Sequence, residues 1–277
     1  MSRGPRLVEA AGPAGAGGGP VPAALAAPAD DVPRLAAEYR VRFDEAGPDG
    51  LMRGSTLLGI VQDLAWRHSE ALGLTREWYA ERGLLWLVRS VEVRYLAPVA
   101  HGDTIRAETM IVGYRRVLAR RRTRLWTPGG TPVADVATDW VMTSAAAGGP
   151  TRIADEIVGR FAGAGSFEPV RVDRAEPPAD AAAVTAVVGL RDLDPVGHMN
   201  NSVYLDLLDE SVAAAGAGLS GTFPRRTALE YVDAARAGET VVARAWRTAA
   251  GWSHRLERAA DGATLVRGAA AAGPEAR

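Results

Sequence analysis

The sequence predicts an α+β fold in which a curved antiparallel sheet wraps a long central helix, and it predicts this unit twice. Three observations carry the expectation. First, between Ser55 and Leu72 the residues Leu57, Leu58, Val61, Leu64, Ala65, His68 and Leu72 recur at spacings of three and four, which marks a helix with one apolar face. Second, strand-like runs follow that helix, separated by Gly- and Pro-containing turns. Third, the same order recurs later in the chain. Tyr95 with Gly102-Asp103-Thr104-Ile105 matches Tyr231 with Gly238-Glu239-Thr240-Val241 at a constant offset of 136. Gly50, Met52, Ser55 and Gln62-Asp63 fall on Gly197, Met199, Ser202 and Asp209-Glu210 at an offset of 147. The segment Thr75–Gly83 supplies the extra residues of the first half.

Residues 1–37 are rich in Ala, Gly and Pro and cannot bury enough apolar surface to offset their ordering entropy, so a disordered tail is expected there. Pro20, Pro22 and Pro28 break the apolar stretch that a signal peptide needs. Regular structure is expected from Glu38, with Tyr39 to Phe43 alternating as a half-buried strand. After the first helix, stopped by Gly73, come four strand-like runs: Leu84–Tyr95, Thr104–Gly113, Arg115–Thr127 and Pro132–Thr143. Turns are expected at Gly113-Tyr114 and Pro128-Gly129-Gly130. The first unit thus spans 38–145. Residues 146–183 form a linker, with a short helix around Asp155–Phe161. The second unit spans 184–272: a strand over Val184–Arg191, a helix over Asn201–Ala215, then Arg225–Tyr231, Thr240–Arg247, Trp252–Glu257 and Thr264–Ala270. A sheet that covers its own helix leaves an edge to protect, so the two units are expected to pair side by side.

Composition narrows the chemistry. The 277 residues include no Cys, which excludes disulfides, thiolate metal sites and a cysteine nucleophile. All 32 basic residues are Arg, so no lysine Schiff base or P-loop lysine exists. The four histidines lack metal-ligand spacing, and no metal or other cofactor is expected. A formal net charge of -1 offers no global case for a nucleic-acid partner. No run approaches the roughly 20 apolar residues of a membrane helix, which makes the cytoplasm the expected location. No G-x-S-x-G elbow is present, which argues against a serine hydrolase.

The chemistry concentrates in Asp192-Leu193-Asp194-Pro195-Val196-Gly197-His198-Met199-Asn200-Asn201-Ser202-Val203-Tyr204. Carboxylates, an imidazole and two carboxamides fall beside the start of the second long helix. Gly197 permits an unusual backbone angle and close approach by a ligand. Asn200 or Asn201 can cap the helix, whose free N–H groups favour developing negative charge. The set suits hydrolysis of a polarised carbonyl: Asp194 activates water or attacks directly, and His198 orients water or protonates the leaving group. A turn followed by a helix cap accounts for the same residues without any chemistry.

This segment resembles the D-x-D-x-x-G-H-x-N-N-x-x-Y signature of hotdog-fold acyl thioesterases, at Asp192, Asp194, Gly197, His198, Asn200, Asn201 and Tyr204. From Glu38 to Ala270 the chain resembles the acyl-acyl-carrier-protein thioesterases of plants and bacteria, including the linker motif Ile153-Ala154-Asp155-Glu156. The resemblance implies a tandem (double) hotdog and hydrolysis of a thioester carried by acyl carrier protein or coenzyme A, in fatty-acid or polyketide metabolism. It implies Asp194, His198, Asn200 and Asn201 as catalytic residues and Gly197 and Tyr204 as substrate-binding. It also implies an acyl pocket in the first unit, with Trp66 setting its depth and Asp63 as a helix carboxylate near the substrate. Two departures stand out. Val196 replaces the functional Asn of the plant motif, and Val232-Asp233-Ala234-Ala235 follows Leu229-Glu230-Tyr231 where the plant enzymes carry a Glu-Cys pair. Asp233 is the substitute acid on offer. A hotdog hydratase or dehydratase is the alternative enzyme, although no His here begins its H-x-x-x-G-x-x-x-x-P pattern. A non-catalytic module that binds an acyl chain or carrier protein is the other alternative. Two units in one chain allow a monomer as well as a homodimer. The run Arg120-Arg121-Arg122-Arg124 reads either as a carrier-protein or phosphate dock or as a charge-defended edge strand.

Overall fold

Inward alternation of Leu35, Ala37 and Tyr39 against outward Arg34, Ala36, Glu38 and Arg40 builds the first strand, β1 (Arg34–Arg40). The computed structural model describes residues 32–161 and 165–273. The expected disordered tail lies outside the described residues as far as position 31. Residues 34–37, also assigned to that tail, are strand instead, because Leu35 and Ala37 continue the inward alternation of Tyr39. The strand ends before Phe43, which is exposed on a 3-10 turn over Phe43–Glu45.

Helix α1 (Gly54–Ala71) buries Leu57, Leu58, Ile60, Val61, Leu64, Ala65 and His68. Helix α2 (Arg76–Glu81) occupies the extra segment of the first half, and its N-cap Thr75 accepts the Trp78 N–H at 3.3 Å. Strands β2 (Leu84–Tyr95), β3 (Thr104–Arg115), β4 (Leu118–Trp126) and β5 (Pro132–Ser144) follow. Gly113-Tyr114, expected as a turn, lies inside β3 beside a register shift between Ile111 and Gly113. The chain reverses at Arg116 instead, with φ of 46°. A two-residue strand β6 (Gly149–Pro150) and helix α3 (Asp155–Arg160) lie in the linker. The second unit is β7 (Ala182–Val187), α4 (Val203–Ala214), β8 (Arg225–Tyr231), β9 (Thr240–Thr248), β10 (Gly251–Arg258) and β11 (Thr264–Ala272). β7 stops at Val187, and Leu190–Asp192 form a 3-10 turn at the place of Phe43–Glu45 in the first half.

The strands form one sheet in the order β1-β3-β4-β5-β2-β8-β11-β10-β9-β7, with β6 beside β5. Read outward from the middle, both halves have the same order. The halves meet where β2 pairs antiparallel with β8, from Ser90 opposite Glu230 to Tyr95 opposite Arg225. Glu92 faces Ala228 in this ladder. These two differ by 136, the repeat offset itself, so the axis relating the halves passes through this pair. β4 lies between β3 and β5, so the arginine run is not a free edge. Arg120 makes a two-pronged ion pair with Asp139 (2.7 and 2.8 Å) beneath the ring of Phe167, and Arg122 pairs with Asp135. Neither presents its charge to a partner.

His254 on β10 is fully enclosed and takes part in a hydrogen bond with Ser211 Oγ of α4 (3.1 Å). The Ser211 hydroxyl donates to the Leu208 carbonyl, so it accepts from His254 Nδ1–H. Burial pushes the imidazole pKa down from 6.5 to about 3. Below pH 6.5 the unfolded chain takes up a proton here that the folded chain refuses, so this stability is whole above pH 6.5 and is lost as pH falls toward 3. Chemical denaturation of wild type should therefore show an acid loss, between pH 6.5 and 5, about 2 kcal/mol larger than that of His254→Gln. Parallel pH profiles of the two proteins would contradict the assignment.

Candidate active site

The segment 192–202 is a short hairpin leading into α4. Leu193 bridges Met199, the Asp194 N–H donates to the His198 carbonyl (2.8 Å), and the Gly197 N–H donates to the Asp194 carbonyl (2.9 Å). Gly197 adopts φ of 84° at the exposed tip, a conformation that Gly takes without penalty. Met199 anchors the returning arm: it is buried, and its N–H donates to the Ala235 carbonyl (2.8 Å).

The side chains divide into those that build the loop and one that faces open space. Asp194 Oδ1 accepts the Val196 N–H (2.9 Å) and the His198 N–H (3.3 Å), so it closes its own turn. His198 is half-buried and meets Asp194 through its main chain. Asn200 Oδ1 accepts from the Ser202 N–H (2.9 Å) and hydroxyl (2.8 Å), which ties down the start of α4. Asn201 lines a small cavity with Leu58, Val61 and Gln62 of α1, Val88 and Val91 of β2, Thr138 of β5 and Tyr231 of β8. The Asn201 carbonyl accepts the Tyr231 hydroxyl (2.9 Å). The cavity therefore lies where the loop of the second unit meets the helix and sheet of the first.

Three residues expected as substrate contacts lie away from this cavity. Tyr204 is buried, its hydroxyl accepts the Ala235 N–H (3.0 Å), and its ring stands edge-on to Tyr231. It holds the loop at Ala235 against which Met199 docks and does not line the cavity. Trp66 lies on the outer face of α1, 41% exposed, with its indole N–H on Glu70 (2.9 Å). Asp63 is one position too far round that helix, where it accepts from the Tyr39 hydroxyl (2.7 Å) and pairs with Arg67 (3.3 Å). The residue facing the cavity is its neighbour Gln62, which sequence reasoning missed. The signal was available: Gln62 falls between the inward positions Leu58, Val61 and Ala65, and Asp63 does not. Asp233 carries an ion pair to Arg258 (2.9 Å) that holds its carboxyl below the usual range, so it is a loop-bracing anion.

The first half repeats the hairpin without its chemistry. Ala46 bridges Met52, the Gly47 N–H donates to the Leu51 carbonyl, and Gly50 takes φ of 77°. Gly54 stands where Asn201 does in the second half. A β-carbon there would meet the Tyr95 hydroxyl and Leu205 Cδ2, both at 2.7 Å. Tyr95 and Leu205 thus fill the space beside Gly54 that a side chain at this position would need. Gly54→Ala should cost about 1–3 kcal/mol of stability through overpacking, whereas Asn201→Ala should change it by less than about 0.5 kcal/mol. Denaturant titration of both proteins measures the contrast.

Residues 34–161 match the family model of the acyl-ACP thioesterase N-terminal domain. No curated protein matches the sequence. Among solved structures, the chain is similar to one described as an oleoyl thioesterase from Lactobacillus plantarum, with TM-score 0.77 and 21% identity over 86% of this chain and 95% of that one. It is also similar to the 12:0-ACP thioesterase from Umbellularia californica, with TM-score 0.72 and 18% identity over 86% and 96%. An acyl-ACP thioesterase from Bacteroides thetaiotaomicron gives TM-score 0.68 and 14% identity over 85% and 96%. At these identities the structures establish the shared double-hotdog fold.

Proposed function

Because residues 34–161 match the acyl-ACP thioesterase N-terminal domain, we propose that the chain is a thioester hydrolase and that hydrolysis takes place at the junction of the Asp194–Asn201 loop with α1. The observation that carries this reading is the cavity shared by Asn201 with Leu58, Val61 and Gln62. The thioester carbonyl lies at the start of α4, and the acyl chain runs along α1 between Val88 and Val91. The Asn201 amide, at the positive end of the α4 dipole, receives the negative charge that develops on the carbonyl oxygen; one such donor is worth about 3 kcal/mol in the transition state. Asp194 acts as general base on a water or as the nucleophile itself, and His198 orients the water. Water supplies hydroxyl to the acyl carbon, the C–S bond breaks, and the thiol leaves with a proton. A thiolate leaves readily, so no strong acid is needed. Asn200 acts by holding the helix start in place.

The thiol is that of acyl carrier protein or coenzyme A. Among the described residues no helix is long and apolar enough to cross a membrane. A carrier-bound substrate agrees with action in the cytoplasm, and the paired units within one chain suffice for a working monomer.

Asp194→Asn is the cleanest test, because the amide oxygen can still accept the Val196 and His198 N–H bonds. Hydrolysis of acyl thioesters should fall at least about 100-fold, with a melting temperature within a few degrees of wild type. Full turnover in this variant would remove Asp194 from the mechanism. Asn201→Ala should lower kcat more than it raises KM, since its amide acts mainly on the charged transition state.

A further inference from the structure

The apolar core of the first unit is interrupted by a group of polar side chains that the hydrolysis step does not use. Cross-strand pairing places Leu229, Val91, Thr138, Arg121 and Ile111 in one row across β8, β2, β5, β4 and β3. Directly paired residues share a face, and Val91 and Thr138 line the cavity, so Arg121 lies on the helix-facing side next to Thr138. The neighbouring row contains Val88, Trp140, Ala119 and Tyr114. Beyond these rows, a second apolar cluster around Leu74, Met142, Ile157 and Phe161 closes the end of the unit.

Arg121 is 4% exposed. Its guanidinium donates to His68 Nδ1 (2.8 Å) and Thr109 Oγ1 (3.4 Å). Among the described residues the titratable groups acting on it are His68, Tyr114 and Tyr79, with no carboxylate, and burial pushes its pKa down to about 10. His68 accepts at Nδ1, so its proton is on Nε2. That N–H is buried without a partner, and so are Trp140 Nε1, Tyr114 Oη and Thr138 Oγ1. Two of these four atoms can only donate as they stand, and the other two are hydroxyls. An unmet buried donor is costly, so the group calls for oxygen acceptors from outside the protein. His68 lies six residues beyond Gln62 on α1, roughly 9 Å along the helix axis. The group is therefore placed to meet a substrate well beyond its thioester.

We propose that the acyl pocket ends in this donor cluster and that the preferred substrates are acyl thioesters carrying an oxygen function, a hydroxyl, keto or carboxylate group, on the distal part of the chain. This rests on the reading of the Asn201 cavity as the entrance to the acyl site. A saturated chain would leave the donors unpaired, and a pocket built to hydrogen-bond an oxygen discriminates strongly against the analogue lacking it.

The test uses the full chain and acyl-pantetheine thioesters of matched length in three forms: saturated, hydroxylated in the distal half, and ω-carboxylated. At least one oxygenated form should exceed the saturated one in kcat/KM by about 10-fold or more. Arg121→Met should bring the two near parity. Tyr114→Phe, a milder change, should narrow the gap if the Arg121 variant does not fold. A saturated chain hydrolysed as well as or better than both oxygenated forms overturns the proposal and leaves the thioesterase reading intact. Hydrolysis of none of the three would count against that reading instead, and thermal stabilisation by the corresponding free acids would then decide the pocket. Greater stabilisation by the oxygenated acids supports the donor cluster, and equal or smaller stabilisation refutes it.

Discussion

The pairing of β2 with β8 is the constraint on which the rest of the structure depends. Each unit alone would present a long unpaired strand at the middle of the molecule, with open N–H and C=O groups. Joining them makes one continuous sheet whose terminal strands are β1 and β7, both of seven residues or fewer. On one face of the seam Val91 and Leu229 pack side by side. On the other, Glu92 holds Arg94 and Arg226, while Glu230 holds Arg89. The seam also decides where chemistry can occur. It brings the hairpin before α4 to the flank of α1, so a cavity opens between residues far apart in the chain.

Duplication supplies two such junctions, and the sequence has kept one. The two hairpins share backbone geometry down to their positive-φ glycines, Gly50 and Gly197. What separates them is the residue at the helix start. Asn201 leaves room and carries an amide, whereas Gly54 lets Tyr95 and Leu205 close in. Asp209, the counterpart of Gln62, is half-buried, and burial pushes its carboxyl pKa up to about 6. Its side of the molecule thus retains an acidic group, while the Asn201 side carries the neutral amide of Gln62.

Much of this was legible in the sequence because it rests on local rules. Periodicity marked α1, turn residues bounded most strands, and the offset of 136 is the same number that relates Glu92 to Ala228 across the seam. The hairpin before α4 was legible as a turn as well, since a Gly, an Asp-Pro turn and paired Asn residues serve backbone geometry. What stayed hidden depends on which way a side chain faces. One helical step separates Gln62 in the cavity from Asp63 on the surface, and the acidic residue drew attention because charge is visible in a sequence while direction is not. The arginine run misled for the same reason. Arg120 and Arg122 point to one side and are neutralised by Asp139 and Asp135, carboxylates on the paired strand. Arg121 points to the other side, where no carboxylate meets it.

That last contrast bears on how stability and function divide within the first unit. A buried cation without a counter-charge is among the more costly groups a core can hold, and replacing it with an apolar side chain would ordinarily stabilise the fold. Neighbouring arginines on the same strand show the ordinary solution, a two-pronged carboxylate on the adjacent strand. Arg121 departs from it, and so do the unpaired donors of His68, Trp140 and Tyr114 around it. The Arg121 guanidinium and the His68 and Tyr114 rings pack on Phe161 and the second apolar cluster, whereas the unpaired donors, on the face next to the cavity, are accounted for by a ligand that completes them. On the proposed reading, the seam supplies the reactive loop from one unit, and the cost borne in the core of the other supplies the selectivity.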